Sequence, residues 1–218
     1  MLIMGLLTGL LGLFGCDNKP KEKSDKEQFA EILNDPKVNS KEVGERGGLK
    51  YFPVMQNGKM GFRDLDGKIV IEPKFDYAGM FSEGLSTVQL DDKFGLIDEK
   101  GNYVLPLTAF EFLGCVHNGL ASFRANDKYG FVNTKRQEII KPQFDWVDEF
   151  SDGLCVVRND KGKHGYVDTT GKIIIELQFQ YANKFQNGQA KCELNNLWGT
   201  IDKTGKIIEQ ATHKSASW

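Results

Sequence analysis

The chain has 218 residues, of which 40% are hydrophobic, and a formal net charge of −2. A charge this close to neutral excludes the basic footprint on which nucleic-acid binding rests. The 15 Phe and 24 Gly, set against 6 Pro, exclude a disordered chain and point to a packed fold with many tight turns.

Residues 1–15, "MLIMGLLTGLLGLFG", carry no charged side chain. At 1.5 Å per residue such a run spans about 22 Å as a helix, short of the roughly 30 Å hydrocarbon core. It is therefore predicted to be the apolar region of a signal peptide rather than a membrane span. The run Leu13-Phe14-Gly15-Cys16 resembles the lipobox of bacterial lipoproteins. That resemblance implies cleavage before Cys16 and diacylglycerylation of its thiol, which would fix the protein to a lipid membrane. The competing reading is a buried apolar helix ending on a core cysteine, although the charged stretch that follows gives such a helix nothing to pack against. Residues 16–47 are predicted to be the lipidated Cys16 and a solvated tether, with seven Lys/Arg and eight Asp/Glu between Asp17 and Arg46. Within it a short helix near 25–34 is expected: Ser24 and Glu27 form a capping box, Phe29, Ile32 and Leu33 share a face, and Pro36 follows.

Beyond the tether the chain repeats. Gly48-Leu49, Gly84-Leu85, Gly119-Leu120, Gly153-Leu154 and Gly188-Gln189 recur at intervals of 36, 35, 34 and 35 residues. An apolar or aromatic residue before Gly follows in each copy: Met60-Gly61, Phe94-Gly95, Tyr129-Gly130, His164-Gly165 and Trp198-Gly199. This pair suits a strand over which another backbone comes close. Next come Asp64-x-x-Gly67, Asp98-x-x-Gly101, Asn133-x-x-Arg136, Asp168-x-x-Gly171 and Asp202-x-x-Gly205. Asp at the first place of a turn and Gly at a positive φ predict a hairpin at each. An apolar strand follows, and Pro73, Pro106 and Pro142 are expected to end it for want of an N–H. Three or four short strands per repeat, without a long helical pattern, predict an all-β domain over 48–208, with a tail at 209–218.

The aromatic-Gly-x-x-Asp-x-x-Gly hairpin, the apolar-Pro-x-Phe-Asp segment and Phe-x-Glu-Gly-Leu together resemble the bacterial WG-repeat proteins. The best matches are "KFGLIDEKG", "IEPKFDYAGMFSEGLSTV", "KPQFDWVDEFSDGL" and "LWGTIDKTGKII". The resemblance covers about Gly48 to Ile208; Arg136 stands in place of the turn Gly and Leu177 in place of Pro. It implies a β-rich scaffold for binding, often exported or in the envelope, with no shared catalytic activity.

The repeats also let each reactive residue be compared with its counterparts. His164 shares a slot with Met60, Phe94, Tyr129 and Trp198 and is predicted to be a packing ring. His117 falls with Ser82, Ser151 and Gln186 at a polar loop position. Cys115, Cys155 and Cys192 share slots with residues such as Met80, Ser86 and Val88; they are expected to be fillers rather than disulfide partners. No C-x-x-C or H-x-x-x-H spacing supports a metal site, and no cofactor is expected.

The acids at 64, 98, 168 and 202 are explained by turn chemistry. Asp76, Glu111, Asp145 and Gln180 lie beside Tyr77, Phe112, Trp146 and Tyr181. Strand-end hydrogen bonding is the preferred reading for them, and a ligand stripe for sugars or basic peptides the other. The predicted architecture is about five tandem hairpin repeats of about 35 residues in an open, β-solenoid-like array. A five-bladed propeller is the alternative, with "GLKYFPVM" completing a blade begun by "WGTIDKTGKII". The predicted function is a non-catalytic, membrane-anchored scaffold for a protein or cell-wall ligand. A glycan-acting hydrolase using carboxylates of the Asp76/Glu111/Asp145 series is the alternative.

Overall fold

A computed structural model of the chain describes residues 50–214, with side chains as far as Glu209. The expected signal peptide, Cys16, the tether, its helix and the Gly48-Leu49 marker lie outside the described residues. Within them the fold is all-β and antiparallel. The first sheet holds β1 (Tyr51–Gln56), β2 (Lys59–Asp64) and β3 (Ile69–Phe75) in that order. The second runs through β4 (Tyr77–Ala78), β5 (Leu85–Leu90), β6 (Lys93–Asp98) and β7 (Tyr103–Thr108). A third contains β8 (Phe112–His117), β9 (Leu120–Ala125), β10 (Lys128–Asn133) and β11 (Glu138–Phe144). The fourth contains β12 (Trp146–Val147), β13 (Leu154–Arg158), β14 (His164–Asp168) and β15 (Ile173–Phe179). The fifth contains β16 (Tyr181–Ala182), β17 (Gln189–Leu194), β18 (Leu197–Asp202) and β19 (Ile207–Lys214). Among the described residues each sheet is a meander of chain neighbours, one sheet per repeat. The last strand runs past the expected domain end at 208.

Turn chemistry builds each meander. At the Asp-x-x-Gly turns Gly67, Gly101, Gly171 and Gly205 take φ of 86°, 83°, 88° and 83°. Asp64 Oδ1 accepts from the backbone N–H of Asp66 and Lys68 at 3.0 and 2.9 Å, and the same pair of bonds recurs at Asp98, Asp168 and Asp202. Asn133 makes these bonds in the third repeat, so its turn closes in the same way with Arg136 held at φ 63°. A non-Gly residue there is strained by about 1 kcal/mol. Arg136→Gly is therefore expected to raise stability by about that much, read as a rise in the urea midpoint at unchanged slope.

A second turn class was not foreseen. Glu83-Gly84, Asn118-Gly119, Asp152-Gly153 and Asn187-Gly188 have both residues at positive φ, as do Asn57-Gly58, Asp91-Asp92, Asn126-Asp127 and Asn195-Asn196. These two-residue loops have the mirror-image geometry that matches strand twist.

Pro73, Pro106 and Pro142 do not end their strands; each sits inside β3, β7 or β11. All three strands are sheet edges, and the pairing register shifts nearby, as between Met60 and Phe62. A residue without an N–H is tolerated at an edge or a bulge, so proline marks the bulge here.

The chain divides into two compact units between Val116 and His117. In the first, Phe62, Ile71 and Phe75 from the first sheet share a core with Ala78, Val88 and Ile97 from the second. In the second unit the fourth sheet is covered on both faces. Cys155, Val157 and Val167 enter a core with Phe131, Ile140 and Phe144 of the third sheet, while Val156, Tyr166 and Ile175 enter one with Ala190, Cys192 and Ile201 of the fifth. Period-2 alternation thus feeds two different cores, which is why β13 and β14 read as continuous apolar runs.

Candidate binding surface

The acids predicted to repeat are placed by turns and lysines. Asp76 accepts from Lys59 Nζ at 2.6 Å and from the Asp91 backbone N–H at 2.9 Å. Gln180 Oε1 accepts from the matching Asn195 N–H at 3.0 Å. Asp145 pairs with Lys128 Nζ at 2.8 Å. Its Oδ2 is buried without a partner. The turn that would supply one differs, because the fourth repeat closes through Asn159 and Gly162 instead of a two-residue loop. Strand-end bonding therefore accounts for Asp76 and Gln180. Glu111 is exposed between β7 and β8, the place in its repeat that Asp76 holds between β3 and β4 and Asp145 between β11 and β12, where both are half-buried. The partners of Asp76 and Asp145 are lysines and a backbone amide. Among the described residues no cluster of His, Cys, Asp or Glu has the makings of a metal site.

The aromatic half of that pattern does assemble, in the second unit. Trp146 lies edge-to-face with His164 at 6.1 Å. His164 stacks on Tyr181 at 5.9 Å and 21°, and Tyr181 on Trp198 at 6.5 Å and 16°. Tyr181 is 61% exposed, whereas His164 is buried as a packing ring, and burial lowers its pKa so that it stays neutral. The ladder alternates the residue after the acid with the residue before glycine, slots that are far apart in each repeat and are brought together across β12, β14, β16 and β18; in the first unit Phe94 and Phe112, which hold the same two slots, lie 6.3 Å apart.

Beside the ladder opens a cavity of about 610 Å3, walled by Trp146, Asp148, Asn183, Lys191, Thr200 and Glu209 among others. Its electrostatics are mixed. Burial pushes the Asp148 carboxyl above its usual range, the Glu149 N–H bonding to it only partly offsetting this. Glu149 itself is held down at about 2, first by its hydrogen bond to His117, then by the charges of His117 and Lys184. His117 Nε2 lies 3.5 Å from Glu149 Oε1, and Lys184 Nζ 3.3 Å from Oε2.

His117 therefore does more than occupy a polar loop. Its slot joins successive repeats: Ser82 Oγ donates to the Val116 carbonyl and Ser151 Oγ to the Phe185 carbonyl, both at 2.6 Å. Histidine in that place meets Glu149 instead.

Cys155 and Cys192 are buried thiols, as expected of fillers. Cys155 Sγ donates to the Asp148 carbonyl at 3.1 Å, as Ser86 Oγ does to Gly79. Burial raises the Cys192 pKa to about 11, which keeps it protonated and inert. Cys115 departs from the expectation: it is disulfide-bonded.

A family model described as WG containing repeat matches four successive segments, residues 60–94, 94–129, 129–163 and 165–198. No curated protein matches the chain. Solved structures of similar form include Hsv2 of Kluyveromyces lactis, 11% identical, with 77% of this chain and 62% of that one covered at a TM-score of 0.49. BamB from Moraxella catarrhalis is 12% identical over the same shares, 77% and 62%, at a TM-score of 0.42. The computationally designed Ika8 protein is 11% identical, with 76% and 59% covered at 0.48. The chain thus spans about three fifths of the length of these structures.

Proposed function

The chain belongs to the WG containing repeat family, and from that premise we propose that it is a membrane-anchored envelope lipoprotein whose repeat surface binds a protein or cell-wall ligand without catalysis. The observation that carries this reading is the division of labour among repeated residues. The Asp-x-x-Gly acids hold turns, Asp76 and Asp145 hold lysines, and what remains presented in the second unit is an aromatic ladder beside a polar cavity. A glycosidase would need two carboxyls about 5–10 Å apart across a cleft; the carboxylates of Asp76 and Asp145, ion-paired to Lys59 and Lys128, offer support to strands instead. Capture from solubilised envelope by the immobilised full chain tests the binding half. The expected result is a ligand retained by the native protein and lost from Tyr181→Ala; retention by both would overturn the use of this surface.

The anchor rests on the apolar run and Cys16. Cys16→Ser is expected to abolish labelling by a fatty-acid probe and to release the protein from the membrane fraction. Continued labelling of Cys16→Ser would overturn the lipoprotein reading.

A further inference from the structure

Resting on the binding role proposed above, we propose that the cavity beside Trp146 is a carbohydrate site for an uncharged oligosaccharide. Its volume of about 610 Å3 falls within the usual range for small-molecule sites, roughly 300–1,000 Å3. All of it belongs to the second unit, between the fourth and fifth sheets, so rigid strands position its walls.

Charge sets the ligand class. Asp148 and Glu209 are balanced by Lys184 and Lys191 around the rim, so the site offers neither a phosphate clamp nor a cation trap. An anionic ligand would meet two carboxyls and a cationic one two ammonium groups, each at a desolvation cost that nothing repays. A purely apolar ligand would strand the polar groups. What fits is a neutral molecule whose polar groups both donate and accept. Asn183, Gln186 and Gln189 line the site with amides that do the same, and Thr200 adds a hydroxyl, 3.3 Å from Glu209 Oε2.

The indole of Trp146 supplies the second half of carbohydrate recognition. A sugar ring has one face of C–H groups and an equator of hydroxyls, and the electron-rich face of an aromatic ring attracts the former. Trp146 is half-buried and fixed by its edge-to-face contact with His164, so little side-chain entropy is lost on binding. A protein partner would instead need about 800 Å2 of surface per side, which a single cavity does not offer.

The test is calorimetry on the detergent-solubilised full chain with cellotetraose, maltotetraose and the N-acetylglucosamine tetramer. The deacetylated, cationic tetramer and a hyaluronan tetrasaccharide serve as charged controls. The expected result is binding of at least one neutral tetrasaccharide, weakened ten-fold or more by Trp146→Ala and by Thr200→Val. The latter keeps the shape of the side chain and removes the hydroxyl, so it reports on the site even where Trp146→Ala perturbs folding. Tyr103→Ala, an exposed ring of the first unit outside the cavity, is expected to change affinity less than three-fold. Co-sedimentation with cell-wall sacculi separates a wall polymer from a free oligosaccharide; a cavity-dependent signal with either supports the site. Absence of neutral-sugar binding at millimolar concentration, indifference to both cavity variants, or equal affinity for a charged control would overturn it. The binding role itself fails separately, when the envelope capture retains nothing.

Discussion

Gly165→Ala is expected to unfold the second unit under conditions in which the native protein is fully folded, a loss of about 4 kcal/mol or more. A Cβ at Gly165 would stand 2.6 Å from the Ile175 carbonyl oxygen and 2.8 Å from the Leu177 N and Cα. All three obstacles are backbone, so no rotamer change relieves the clash. The cause is the bulge in β15, whose register against β14 shifts between His164 and Tyr166 and swings the outer strand over the glycine. The same approach recurs at Gly61, Gly95 and Gly130, where the nearest carbonyl oxygens lie at 2.3, 2.7 and 2.4 Å. At Gly199 the Glu209 oxygen is 3.1 Å away, a contact that a shift of a few tenths of an ångström resolves. Gly199→Ala is therefore the internal control, expected to cost no more than about 1–2 kcal/mol. Urea denaturation followed by circular dichroism and by hydrogen exchange over β13 to β15 reads both. A Gly165→Ala protein within about 1 kcal/mol of the native one would show that the close approach does not constrain this strand.

That glycine was legible in the sequence because its signal repeats and its physics is local: a side chain excluded by one neighbouring backbone. The Asp-x-x-Gly turns were legible for the same reason, since Asp64 bonds to residues two and four positions along. Pro73, Pro106 and Pro142 were misread because the lack of an N–H has two outcomes, the end of a strand or an edge with a bulge, and only sheet order decides between them. The two-residue turns at Asn57-Gly58 and Asn195-Asn196 left a usable signal, adjacent residues that tolerate positive φ, but the recurring Gly-Leu marker drew attention to the strand after the turn. The role of His117 was hidden in another way. Its slot holds serine in other repeats, and its bond to Glu149 crosses to the next repeat. The cavity had no signature at all: Trp146, Asn183, Thr200 and Glu209 come from four different elements or loops, and their grouping follows from how the fourth and fifth sheets pack. The aromatic ladder was half legible, since the residues beside the acids were noted but their alternation with the pre-glycine ring was not.

Gly171→Val is expected to cost about 3–5 kcal/mol, well beyond the strain of its turn alone. Two effects add. Gly171 holds a φ of 88°, where a β-branched residue is strained by about 1–2 kcal/mol. Its Cβ would also come 3.0 Å from Cγ1 of Ile140, on the outer strand of the preceding sheet, and valine adds two methyl groups to that contact. Each turn glycine with a repeat before it rests in this way on an earlier isoleucine: Gly101 on Ile71, Gly171 on Ile140 and Gly205 on Ile175. Gly67 has no such neighbour, and the nearest atom to its Cβ is the flexible end of Arg63 at 3.9 Å. Gly67→Val thus carries the backbone strain without the packing clash and is expected to cost only about 1–2 kcal/mol. The difference between the two variants measures how strongly one repeat leans on the next, the nearest-neighbour coupling on which a tandem-repeat fold depends. Ile140→Ala should relieve the clash, so Gly171→Val and Ile140→Ala together are expected to cost less than the sum of the single variants, by about 1 kcal/mol or more. Strict additivity, or equal costs for Gly67→Val and Gly171→Val, would mean that the turns are independent of their neighbours and that the repeats are joined by their cores alone.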